Sequence, residues 1–293
     1  MAFTLQIKAK GLFGNKKIDM EALLSNCNLR FGSDNEFFVL EEGKTSQGTC
    51  ILYNPQRIGR GIFFDASKMG DGQYVLSYNI PTTEAEITDF IRVAKEIERQ
   101  SKKVEMYCVE EERSFTVESL MENKERMVQF SLDTLNQFCG NKEYKSYIFT
   151  LAMWPLVLTK EQVAYYATCR DLKEFEQLLH DKQNLDVYYA KPTLLHNNNT
   201  GKNGAFYTLT EECESLFPIR ADGFINMDNV KIDEGFVRFF IYSENRVLDG
   251  MFDYDRFVKA LLDRGATYFD EEHIRVPSMT KQQIMEIAKC PLL

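Results

Sequence analysis

Between residues 36 and 79 the chain passes through four short β-prone runs, over 36–41, 48–53, 61–65 and 73–79, with turn residues between them and no helix-length periodic segment. Strands that follow one another this closely, with helices gathered elsewhere, favour antiparallel or mixed sheets over strict strand–helix alternation. The first residues agree: Phe3, Leu5 and Ile7 alternate with Thr4, Gln6 and Lys8, the pattern of a half-buried strand and not the continuous apolar stretch of an export signal. Clusters of strands and helices predict an α+β fold with helices packed on one side of the sheets.

Pro81 and Thr83 open the clearest helix. Thr83 is placed to cap the free amides, Glu86 to complete a capping box, and Ile87, Phe90, Ile91, Ala94 and Ile97 fall on one apolar stripe. A short helix over 19–27, with Met20, Leu23 and Leu24 inward, is expected before the strand block. A strand over 103–109 and a long helix over 117–139, stopped by Gly140, are expected after it.

In the second half, residues 147–158 read as a buried strand ended by Pro155, and these twelve residues are far short of the roughly twenty that cross a bilayer. Thr159 and Gln162 form a second capping box before a helix through Cys169. A helix after Asp171 places Leu172, Phe175, Leu178 and Leu179 on one face. Strands over 185–190 and 205–209 flank a polar loop holding Asn197, Asn198, Asn199, Gly201 and Gly204. A hairpin over 235–251, a helix with Phe257, Val258, Leu261 and Leu262 inward, and a last helix over 280–289 complete the chain. Residues 61–96 and 235–262 share a strand–turn–strand–helix order, which common hairpin-then-helix units explain more readily than duplication. At 293 residues the chain exceeds what one core comfortably fills, so two sub-domains are expected, over 1–143 and 144–293.

The formal charge is −9, with 19 basic and 22 acidic groups in residues 1–146 and 16 and 22 in residues 147–293. Neither half offers the cationic surface that phosphate backbones require, so nucleic acid is not an expected partner. The seven cysteines stand more than twenty residues apart, without metal or redox spacing, and read as reduced thiols of a cytoplasmic protein. No cofactor or metal is expected, and no membrane association.

Few residues suggest chemistry. Arg57-Ile58-Gly59-Arg60-Gly61 joins two strands, and glycines beside arginines let amides and guanidinium groups approach an anion; Arg57 and Arg60 are therefore candidate anion contacts, against the simpler reading of a turn with a solvated arginine. The loop Gly11-Leu12-Phe13-Gly14, with Lys16 and Lys17, lacks the spacing of a phosphate-binding loop. His180, His196 and His273 are far apart in sequence. His273 follows Asp270-Glu271-Glu272, where a carboxylate can orient an imidazole, although charged residues ahead of an edge strand explain the cluster as well. The acids Asp249, Asp253, Asp255, Asp222, Asp228, Asp233 and Glu234 do not follow a calcium-loop pattern. Cys213, between Glu212 and Glu214, fits no nucleophile motif. Trp154, Tyr165-Tyr166 and Tyr188-Tyr189 are candidates to line a pocket, against the simpler reading of core and interface packing.

Asn54-Pro55, Ile58-Gly59-Arg60-Gly61-Ile62, Tyr74-Val75-Leu76, Pro81-Thr82-Thr83 and Asp89-Phe90, with the later Asp181-Lys182-Gln183 and Asp186-Val187-Tyr188-Tyr189-Ala190, resemble a bacterial domain-of-unknown-function family of about this length. The resemblance implies a bacterial cytoplasmic protein and carries no activity or functional residues with it.

The leading functional expectation is a protein-interaction role, binding a basic partner in the manner of toxin-immunity proteins, from the acidity, the aromatic richness and the missing catalytic patterns. The alternative is small-molecule or anion binding, or modest catalysis, in a cleft between the two halves with Arg57 and Arg60 as contacts.

Overall fold

The computed structural model describes residues 1–12, 14–223 and 231–289. Phe13 and Asp228, named above, and Cys290, the last of the seven cysteines, lie outside the described residues. Among those described are eight α-helices and four sheets of antiparallel and mixed pairing, the expected α+β class. The chain divides into two compact units, Met1–Leu185 and Asp186–Leu293. The division falls at 185/186 and not at the expected 143/144, because residues 150–183 return to the first unit: Thr150 accepts from Arg60, His180 accepts from Ile58, and Gln183 donates to Gly59.

The first unit begins with β1 (Ala2–Gly11), its short partner β2 (Gly14–Asn15) and α1 (Met20–Cys27). Then come β3 (Arg30–Asp34), β4 (Leu40–Glu42), β5 (Thr49–Tyr53), β6 (Ile62–Asp65) and β7 (Gln73–Asn79). After α2 (Glu84–Arg99) follow β8 (Lys103–Cys108) and β9 (Arg113–Phe115). These strands form one antiparallel sheet in the order β4-β3-β5-β6-β7-β1-β8-β9, with β2 beside β1. On β1, Phe3, Leu5, Ile7 and Ala9 are buried while Thr4, Gln6 and Lys8 are not, so a single face meets the core. That face receives the α2 stripe: Ile87, Phe90, Ala94 and Ile97 are fully buried, and the Phe90 ring lies 4.9 Å from Tyr78 and 5.7 Å from Phe3 in edge-on contacts.

Three segments of this unit differ from the sequence reading for identifiable local reasons. The run over 36–41 is mostly a turn, since the Asn35 side-chain oxygen accepts from the amides of Phe37 and Val39 at 2.9 and 3.3 Å; β4 is what remains, and it pairs with β3, which was not anticipated. The long helix is two helices, α3 (Val117–Glu122) and α4 (Lys124–Gly140), parted at Asn123, whose side chain donates to the Ser119 carbonyl; Thr116 and Ser119 give α3 its own capping box. Residues 147–158 make a small antiparallel pair, β10 (Ile148–Phe149) with β11 (Leu156–Val157), and not one strand, with Leu151, Ala152 and Trp154 buried between them in sequence. The Thr159–Gln162 box forms as expected and opens α5 (Lys160–Tyr166), followed by α6 (Lys173–Gln183), which buries Phe175 and Leu179.

The second unit holds two sheets around one core. The first is ordered β12 (Tyr188–Tyr189), β15 (Ser215–Pro218), β20 (His273–Val276), β19 (Thr267–Tyr268). The second is ordered β13 (Thr193–Asn197), β14 (Lys202–Thr210), β16 (Glu234–Ile241), β17 (Arg246–Val247), with β18 (Phe252–Asp253) also on β16. Strands β14 and β16 run parallel, while β13 lies antiparallel to β14 within the stretch expected to be loop. Helices α7 (Tyr254–Leu262) and α8 (Lys281–Lys289) bury Phe257, Leu261, Ile284 and Ile287 in the same core as Tyr207, Leu209, Val237 and Phe239. No helix among the described residues is long and apolar enough to cross a membrane.

Candidate functional site

The turn from Arg57 to Gly61 is the most densely hydrogen-bonded stretch singled out by sequence. Gly61 donates its amide to Glu86 Oε2 at 2.7 Å, and Thr82 donates its hydroxyl to Glu86 Oε1 at 2.6 Å. Thr83 caps α2 by accepting from the Glu86 amide, but the Glu86 carboxylate does not close the expected capping box; it reaches across to the turn instead. Burial raises the Glu86 carboxyl above its ordinary range, while the Thr82, Gly61 and Arg60 contacts oppose that rise. Gln183 on α6 completes the turn, donating to Gly59 O at 2.8 Å and accepting from the Met153 amide at 2.9 Å. Ile58 donates its amide to His180 Nδ1 at 3.2 Å, which fixes that nitrogen as the acceptor.

Arg60 is half-buried, and its guanidinium is engaged by the protein itself. Its Nε and Nη1 donate to the carbonyls of Thr150 and Pro81 at 3.1 and 3.0 Å, its Nη2 to the Thr150 hydroxyl at 3.4 Å, and its guanidinium lies 5.2 Å from the centre of the Phe149 ring. Burial lowers its pKa to about 10, still far above neutrality, so it stays charged beside Glu86. The two arginines therefore do different things. Arg57 is exposed, 3.8 Å from Glu176, and lines an open groove of about 720 Å³.

That groove is assembled from the turn, the first residues of α2 and α4, and the α5–α6 connection. Its cations are Arg57, Lys124, Arg170 and Lys173, and its acids Glu84, Asp171 and Glu176. Lys124 pairs with Glu84 at 2.8 Å, and Glu176 Oε2 accepts the Ala85 amide at 3.0 Å. Sequence reasoning found Arg57 but not its neighbours, since Arg170 and Lys173 lie more than a hundred residues away and carry no motif.

The histidines do not converge. His196 lies exposed on β13, its Nδ1 2.8 Å from Asn203 Oδ1. His273 belongs to β20, which runs between β15 and β19, so the expectation of charged residues ahead of an edge strand is corrected: the segment enters the interior of a sheet. There Asp270 and His273 are buried, 2% and 1% exposed, with Nδ1 2.9 Å from Asp270 Oδ1 and Nε2 2.8 Å from the Tyr189 hydroxyl. Asp270 Oδ1 also accepts the amides of Glu272 and His273. This is a carboxylate–imidazole–phenol chain of the kind used for proton relay, and it equally satisfies three polar side chains inside a hydrophobic sheet. Tyr189 comes from 84 residues away, which is why no sequence window contained the chain. Among the described residues no group of three His, Cys, Asp or Glu side chains is arranged to hold a metal.

The outer face of the β13-β14-β16-β17 sheet departs from the usual polar exterior. Phe206 and Phe236 are directly paired across β14 and β16 with rings stacked at 5.2 Å, and the Arg238 guanidinium lies 5.4 Å from the Phe206 ring. Leu195 on β13 and Val247 on β17 are 49% and 45% exposed, and Phe240 is half-buried opposite Val247. Alternation places these side chains on the face opposite Ala205, Tyr207, Val237 and Phe239, which form the core.

Several of the residues that carried the resemblance are bonded to one another within the first unit. Asn54 donates to Asp89 at 3.0 Å, Gly61 and Thr82 bind Glu86, and Gln183, from the later stretch, closes on Gly59. No curated protein and no solved structure matches the chain. A family model does, over residues 2–287, and this chain belongs to that family, Domain of unknown function (DUF4299).

Proposed function

We propose that this protein is a protein-interaction module and that the outer face of the β13-β14-β16-β17 sheet is its contact surface. The observation that carries the reading is the set Leu195, Phe206, Phe236, Phe240 and Val247 on the solvent side of a sheet whose other side already forms the core. Contiguous exposed apolar groups mark partner sites more often than they mark ordinary surface, and aromatic rings with an arginine among them are the residue types on which binding energy concentrates. Residues 186–293 carry 17 acidic and 12 basic groups, a charge of −5 that favours encounter with a basic partner. We read the interaction as an immunity-like neutralisation of such a partner in a bacterial cytoplasm, a reducing compartment that suits the six free cysteines among the described residues.

Affinity capture from lysate of the source cells, at low and moderate salt, tests the proposal. Wild type is expected to retain a stoichiometric partner that Leu195→Asp and Phe236→Ser lose. Recovery of no stoichiometric protein, or equal recovery by wild type and both variants, overturns it.

A further inference from the structure

We propose that the Arg57 groove of the first unit binds a small organic oxyanion, a carboxylate or phosphate carried on an apolar body. The groove draws its cations from three separate stretches of chain: Arg57 before β6, Lys124 at the start of α4, and Arg170 with Lys173 around the start of α6. Its acids are engaged within the groove, and two of its four cations, Lys124 and Arg57, face one of them. Glu84 pairs with Lys124 at 2.8 Å, Asp171 Oδ1 accepts the Lys173 amide at 3.0 Å, and Glu176 turns one oxygen to the Ala85 amide and keeps the other 3.8 Å from Arg57. The side chains of Arg170 and Lys173 make no hydrogen bond or ion pair among the described residues.

Unpaired lysines and arginines are ordinary on an open surface; here they border a concavity that also has apolar side chains in its lining. Ala85, Leu132 and Leu172 are buried there and Val128 is half-buried. The volume, about 720 Å³, lies within the range of small-molecule sites. Two guanidinium groups suit a planar or tetrahedral oxyanion, which each can meet with paired N–H donors, better than they suit a halide or a neutral ligand. The four cations and three acids that line the groove sum to +1, whereas residues 1–185 as a whole carry a charge of −4. The cations address the oxyanion, and Val128 with its buried apolar neighbours addresses an apolar remainder. The site belongs to a different unit from the proposed partner surface and stands or falls independently of it.

Calorimetric titration of the full chain with phenyl phosphate, phenylacetate, inorganic phosphate and phenol separates these contributions. Saturable binding of phenyl phosphate or phenylacetate is expected, with the tighter of the two naming the head group, together with weaker binding of inorganic phosphate and none of phenol. Arg170→Ala/Lys173→Ala is expected to weaken the preferred probe at least tenfold while its circular dichroism melt matches wild type, and Arg57→Gln to weaken it as well. Absence of saturable binding by both aromatic anions at millimolar concentration overturns the proposal. So does unchanged affinity in the folded variants, or inorganic phosphate binding as tightly as phenyl phosphate.

Discussion

Glu86 Oε2 accepts the backbone amide of Gly61 at 2.7 Å, so a helix side chain and a strand-entry backbone that are 25 residues apart are joined inside the first unit. Replacing Glu86 by Gln turns one oxygen into a donor that must face either the Gly61 amide or the Thr82 hydroxyl, and it removes the counter-charge beside Arg60. A loss of roughly 1–3 kcal/mol is expected, measured by urea unfolding at neutral pH.

The same carboxyl gives a signed pH dependence. Its folded pKa is raised above the ordinary 4.5, chiefly by burial, so the folded state holds the proton more tightly than the unfolded chain. Its contribution is therefore complete below about pH 4.5 and is lost as pH rises through the raised value. Asp89 acts in the same direction, and Glu96, held down to about 2 by Arg99, acts in the opposite one, favouring the fold above 4.5 and losing that effect as pH falls. Because both remain in Glu86→Gln, comparing the two proteins isolates Glu86: wild type should lose more stability than the variant as pH rises from 4.5 to 8. A stability difference that stays constant across that range contradicts the assignment.

Gly59 is required by this carboxylate. A Cβ on Gly59 would stand 2.4 Å from Glu86 Oε2. Gly59→Ala is expected to cost roughly 2–3 kcal/mol, and less in a Glu86→Ala background, where the obstructing oxygens are gone. A double-mutant cycle by denaturant unfolding measures the coupling, and strictly additive losses would show that the two positions do not clash.

Gln183→Leu keeps the side chain's bulk and removes its polar contacts, leaving the Met153 amide without its acceptor and Gly59 O with only the Ala152 amide at 3.2 Å. A destabilisation of roughly 2–3 kcal/mol is expected from these buried groups, and hydrogen exchange at Met153 should speed up beyond the change at the β1 amides.

Burial pushes the Cys27 thiol up to about 11 and those of Cys50 and Cys139 to about 12, so thiolate is scarce at all three in the folded protein. A chromogenic disulfide reagent at pH 8 should label these three only after denaturant is added. Peptide mapping that finds them labelled at the rate of a free thiol in the native protein would contradict the packing around them.

What the sequence determined by itself was local. The β1 alternation, the α2 stripe, the Thr159–Gln162 box and the inner face of α7 each depend on neighbours within two to four residues, which a linear pattern records directly. Even the failures at 36–41 and 117–139 turned on short-range bonds made by Asn35 and Asn123, which compete with regular structure and leave no apolar signature. Tertiary structure alone decided which polar groups work together. It sent Glu86 away from its own capping box to Gly61, tied Arg60 to Thr150 and Pro81 while leaving Arg57 in a groove with Arg170 and Lys173, and brought Tyr189 to His273. Burying a polar or charged group is costly unless a partner meets it, and in a folded chain that partner can come from any distance along the sequence.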